Sequence, residues 1–200
     1  VVREANGNTT IDVTRARARF VIGAGPAFEV TQAGLLSGLA RNLGVQDLDL
    51  GNASFRYHFT VKGNDLDGTK AAWTGPIQRT LAERFPSATV WSDGTLVRLT
   101  LAGALEDPAR LNAVLDVVSA LASVGVAELQ AFAELPEATL VPASGPWDEP
   151  SAPQVRLTTV HGQATATLRW MKGGPRVWLS LPTTRDLPPF RVVVQQGTAD

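Results

Sequence analysis

The stretch "SATVWSDGTLVRLTLAGALEDPARLNAVLDVVSALASV", residues 87–124, changes its periodicity half-way along. Residues 87–103 read as a hairpin, with β-prone runs on both sides of Asp93-Gly94, a dipeptide suited to a tight turn. Beyond it Asp107 is placed to cap a helix and Pro108 fits the first helical position, where a missing N–H costs nothing. Leu111, Val114, Leu115, Val118, Leu121 and Ala122 recur at helical spacing and form the expected buried face. Gly125 kinks or ends this helix before "VAELQAFAEL" resumes it. A hairpin running into an amphipathic helix is the signature of an α+β protein.

The residues just upstream extend the unit. In "FRYHFTV" (55–61), Phe55, Tyr57, Phe59 and Val61 alternate with polar residues, which predicts a half-buried strand. Trp73, Ile77, Leu81 and Phe85 lie four apart and predict a second helix, with Thr74 as cap, Pro76 in its first turn and Pro86 beyond its end. Between them, "KGNDLDGTKAAWTG" (62–75) has the look of a calcium loop. With Gly68 at the sixth position, however, Gly63 and Thr74 stand where the first ligand and the bidentate acid belong. It reads as a strand-to-helix connection.

The ends of the chain are β-rich. "VVREANGNTTIDV" predicts a hairpin turning at Asn6-Gly7, and 14–22 continues it as a strand. "AFEVTQ" (27–32) is a short extended piece, and 34–44 carries leucines at helical spacing. "GAGPAFE" (23–29) lacks the third glycine of a dinucleotide fingerprint and is read as a bend. Residues 135–153 hold five prolines and read as a linker or extended arm. Strands are then expected at 154–160, 164–171, 176–181 and 190–196, the second and third joined tightly through Lys172-Gly173-Gly174-Pro175. The expected organisation is a β-rich segment 1–53 with one short helix, a strand–helix–hairpin–helix unit 54–134, the linker 135–153, and a β-rich segment 154–200 open to pairing with 1–53. The fold expected is thus α+β, with mixed or antiparallel sheets and two main amphipathic helices in its central region.

Composition narrows the function classes. Net charge is −1, and Lys+Arg against Asp+Glu stands at 5 and 5, 7 and 9, and 6 and 5 in segments 1–53, 54–134 and 135–200. That balance argues against nucleic acid as a partner. There is no cysteine, so no disulfide framework or thiolate metal site. No apolar run approaches a membrane span, and the first residues lack a signal-peptide pattern. The chain opens on "VVRE" without Met, which leaves a tether or leader beyond its end as an expectation.

Few residues suggest chemistry. His58 and His161 have no acid or second histidine at metal-ligand spacing, and no nucleophile elbow accompanies them. Asp65/Asp67 belong to the connection, Glu106/Asp107 to a helix cap and Asp148/Glu149 to the linker. No metal, cofactor or catalytic residue is therefore expected. Arg15, Arg17 and Arg19 share one strand face and could receive carboxylates or phosphates through bidentate bonds, with Asp12 and Glu29 near enough in sequence to neutralise them. The tryptophans at 73, 91, 170 and 178 read as core, whereas Trp147 lies in the Pro-rich stretch, where it either pins that arm or anchors a partner.

On "FRYHFTVKGND", "VWSDGTLVRLTLAG" and "EDPARLNAVLDVVSALA", residues 55–122 resemble certain uncharacterised bacterial proteins that pair a membrane-anchored N-terminal region with a soluble α+β domain. The resemblance implies a tethered, non-enzymatic module. The leading expectation is an interaction or scaffold module of a bacterial envelope-associated assembly with a protein partner. Two alternatives stand beside it: a module binding a small anionic ligand through the arginine row, and a hydrolase with a dispersed site using Asp65, Asp67 or His58.

Overall fold

A computed structural model describes residues 2–6, 9–33, 46–63, 65–145, 151–159, 162–171 and 174–180. The fold is α+β, with two antiparallel sheets. The larger contains β1 (Val2–Asn6), β2 (Thr9–Arg19), β3 (Ala27–Gln32), β4 (Gln46–Asp47), β5 (Phe59–Gly63), β6 (Thr89–Asp93) and β7 (Leu96–Ala102), in the order β1-β2-β7-β6-β3-β5-β4. The smaller has the order β11-β10-β9-β8, from β8 (Ala138–Val141), β9 (Gln154–Thr159), β10 (Gly162–Met171) and β11 (Gly174–Ser180). The described strands of the two β-rich ends thus lie in different sheets.

The hairpin and helix of 87–124 form where the sequence places them. Strands β6 and β7 pair from Thr89↔Thr100 to Ser92↔Val97, and Gly94, at φ +90, occupies the connection. Helix α4 (Pro108–Ala122) starts at Asp107, whose side chain accepts from Ala109 N at 2.9 Å. The helix packs on β2, β7 and α3 (Gly75–Arg84). Its buried face is rotated from the expected one: Ala113 and Val117 point inward with Val114, Val118, Leu121 and Ala122, while Leu111 and Leu115 are 38% and 51% exposed. Apolar residues surround this helix, so periodicity alone does not fix its phase. Packing does, since alanine and valine let the axis approach the sheet. Fully burying Val114, Val118 and Leu121 stabilises the fold by roughly 1.5–3 kcal/mol each.

Residues 55–61 depart from expectation. They divide between α1 (Ala53–His58) and β5. Asn52 caps the helix by accepting from Phe55 N at 3.0 Å. Phe55 and Phe59 are both buried, their rings 5.0 Å apart, whereas Tyr57 is 80% exposed. Alternation over so short a run does not exclude a helix, and Phe55 packs inward from α1 while Phe59 does so from β5. Gly125 (φ +83) separates α4 from α5 (Val126–Ala133), and the two helices bend by 66°. Among the described residues no single helix is long and apolar enough to cross a membrane.

Two cores result. The main one lies between the larger sheet and α1, α3 and α4. The second joins α5 to the smaller sheet through Leu129, Val155, Ala166 and Leu168, with Ile22 reaching in from the β2–β3 connection. The Pro-rich stretch is partly a strand: β8 sits at a sheet edge, the position prolines tolerate, and Ser144 and Ser151 hydrogen-bond to each other. Trp147, Gly7 of the expected Asn6-Gly7 turn, the leucine-rich 34–44 and the expected strand 190–196 fall outside the described residues.

Candidate functional site

In a strand flanked by core residues, every second side chain must face away from the core. Ala16 is buried on β2, so Arg15, Arg17 and Arg19 project from the opposite face, as the sequence predicts. The same rule places Arg98 outward between Val97 and Leu99, Trp91 between Val90 and Ser92, Glu29 between Phe28 and Val30, and Lys62 between Val61 and Gly63. The register then aligns Arg17↔Arg98, Arg98↔Trp91, Trp91↔Glu29 and Glu29↔Lys62 in one row across five strands.

Directly opposed like charges destabilise a sheet. The Arg17↔Arg98 pair is tolerated because the Arg98 guanidinium lies 5.2 Å from the centre of the Trp91 ring, over its electron-rich face. Arg17 is solvent-exposed; Arg15, Arg19 and Arg98 are half-buried, their stems lying along the sheet. Each of Arg15, Arg17 and Arg19 makes an interaction of its own. Glu29 sits three strand spacings from Arg17, about 14 Å. Asp12 is exposed on β2 and makes an interaction of its own. Glu29 therefore does not face Arg17 directly.

Asp93 shares the arginine face but is committed to its own turn. Its Oδ1 accepts from Thr95 N, Thr95 Oγ1 and Leu96 N at 2.7, 2.7 and 3.1 Å. Partial burial alone would raise its pKa, but these bonds outweigh that and hold the carboxyl below its ordinary value. A depressed folded-state pKa contributes stability above the unfolded value, and that contribution is lost as pH falls through the folded value. Asp93→Asn should therefore lie below the native chain in urea midpoint near neutral pH, and the gap should close below about pH 4.

The remaining candidates do not converge. Asp65 caps α2 (Leu66–Ala72) by accepting from Gly68 N at 3.1 Å, while Asp67 is exposed on that helix. His58 ends α1, its ring near Tyr57 and Phe59 rather than an acid. His161 lies outside the described residues, among which no cluster of three His, Cys, Asp or Glu could hold a metal. A hollow of about 130 Å³ lies elsewhere, at the N-terminal end of α4, with Arg84, Ser87 and Arg110 in its lining.

Tryptophan placement corrects the sequence reading. Trp73 is core and Trp170 packs against the second core, but Trp91 and Trp178 are on outward sheet faces, Trp178 38% exposed. Arg98 was missed because it stands far along the chain from Arg17. Its signal was available in "LVRLTLA", where Arg98 is the charged residue between two apolar ones. No protein-family model matches this chain, and no curated protein and no solved structure matches it.

Proposed function

We propose that the chain is a non-catalytic interaction module, which docks an acidic protein partner on the outward face of its larger sheet within a bacterial envelope-associated assembly. One observation carries the docking face: Arg17 and Arg98 are opposed in register, flanked by Arg15 and Arg19, with Trp91 stacked beside them. Such a face places several forked donors over a flat surface, which suits carboxylates spread over a partner better than one enclosed ligand. Glu29 and Asp93 on the same face disfavour a nucleic-acid backbone. The envelope setting is supported by the resemblance of residues 55–122 alone.

The test is capture from bacterial extract with the native chain and with Arg15→Gln/Arg17→Gln as baits, both verified as folded by circular dichroism. A defined acidic protein retained by the native chain, released by salt and lost with the double variant supports the reading. The same protein held equally by both baits, or none held by the native chain, contradicts it.

A further inference from the structure

The smaller sheet carries a second cationic face that segment-by-segment charge counting hides. Residues 135–200 are nearly neutral, yet none of β8, β9, β10 and β11 contains an Asp or Glu. Their charged residues are Arg156, Arg169 and Arg176. All three are exposed, on the face opposite Val155, Ala166 and Leu168 of the second core. The register sets Arg169 directly against Arg176, Thr167 against Trp178, and Arg156 against Thr165, which itself faces Ser180. Arg169 stacks 5.0 Å from the Trp178 ring centre. Among the described residues none of the three arginines makes an ion pair. From the Arg156–Thr165 row to the Arg169–Arg176 row is four residues along β10, about 14 Å.

From this grid we infer that the outward face of the smaller sheet binds a linear acidic glycan, a polymer of sugars bearing carboxylates. The occupant follows from charge complementarity and from the groups between the charges. Guanidinium groups about 14 Å apart meet carboxylates on separated sugar units. Thr165, Thr167, Ser180 and Gln154, in the rows between and beside them, offer hydroxyl and amide partners to sugar hydroxyls. Trp178 presents apolar ring surface to the C–H bonds of a saturated ring. A single-stranded nucleic acid would want an aromatic platform for each stacked base, and Trp178 is the one aromatic residue on this face among the described strands. An acidic peptide would bring no saturated sugar ring to Trp178.

Fluorescence titration of the intact chain with polygalacturonate, poly(dT) and polyglutamate tests this, with Arg169→Gln/Arg176→Gln, Trp178→Leu and Arg15→Gln/Arg17→Gln as variants. Polygalacturonate should bind tightest, and binding should weaken about tenfold or more with the first variant. It should weaken several-fold with the second and stay unchanged with the third. No binding of polygalacturonate, equal or tighter binding of either other polymer, or equal loss with Arg15→Gln/Arg17→Gln would overturn it. Because the last variant reports on the other sheet, failure here is distinguishable from failure of the docking face.

Discussion

Trp73→Ala should destabilise the chain by about 3–5 kcal/mol, lowering the thermal midpoint by about 6–20 °C. Trp73 is 1% exposed at the end of α2 and joins three elements of the main core. Its ring lies 5.4 Å from that of Phe28 on β3, edge-on, and 5.4 Å from that of Phe55 on α1. Removing it opens a large cavity that the flanking sheet and helices cannot close without moving together. Trp73→Phe should be much milder, since the ring contacts persist in part and Nε1 makes no hydrogen bond among the described residues. Urea titration of the three proteins decides this. A loss under about 1 kcal/mol for the alanine variant would mean that the aromatic cluster does not hold these elements together.

Gly25→Ala should be the most damaging of the small substitutions, by about 1–3 kcal/mol. The added Cβ would overlap Cε1, Cζ and Cδ1 of Phe20, a ring 2% exposed in the main core. The neighbouring backbone has little room to yield, because Gly25 N donates to Gly94 O at 2.8 Å and ties the β2–β3 connection to the β6–β7 turn. Glycine is needed here for space rather than for backbone angle. Combining Phe20→Leu with Gly25→Ala should recover part of the loss, because the shorter side chain vacates the overlap. Strict additivity of the two variants would remove the steric explanation.

The elements legible in the sequence were those whose local signals and packing agree. The helix 75–84 shows one stripe, and Ile77, Leu81 and the following Phe85 are all buried. Thr74 takes the capping position there, without a side-chain bond to the helix. Asp107 and Pro108 marked the start of α4 because capping is a local matter. Failures fell where a local pattern has two solutions. Phe55, Tyr57 and Phe59 suit a strand by alternation, and only Asn52, placed to cap, marks a helix over 53–58. The face of α4 was out of phase because Ala113 and Val117 compete with Leu111 and Leu115.

The candidate faces were half legible for a related reason. Arg15, Arg17 and Arg19 are neighbours in sequence and share a face by the strand period alone. Arg98 joins them only through the β2–β7 register, and Arg169 meets Arg176 only through the β10–β11 register. Strand partners are long-range facts, so charge counts over chain segments average away what a sheet concentrates. Both faces also stack an arginine on a tryptophan, at 5.2 Å and 5.0 Å, which pre-orders a guanidinium before any partner arrives.

Arginine footprinting is the most direct measurement on the docking face of the larger sheet. The chain, alone and with its captured partner, is treated with phenylglyoxal and the modified residues are located by mass spectrometry. Arg17 should lose reactivity in the complex, while Arg79, exposed on α3, should keep it. Arg17 as reactive in the complex as in the free chain would contradict the account, whatever the affinity of the partner.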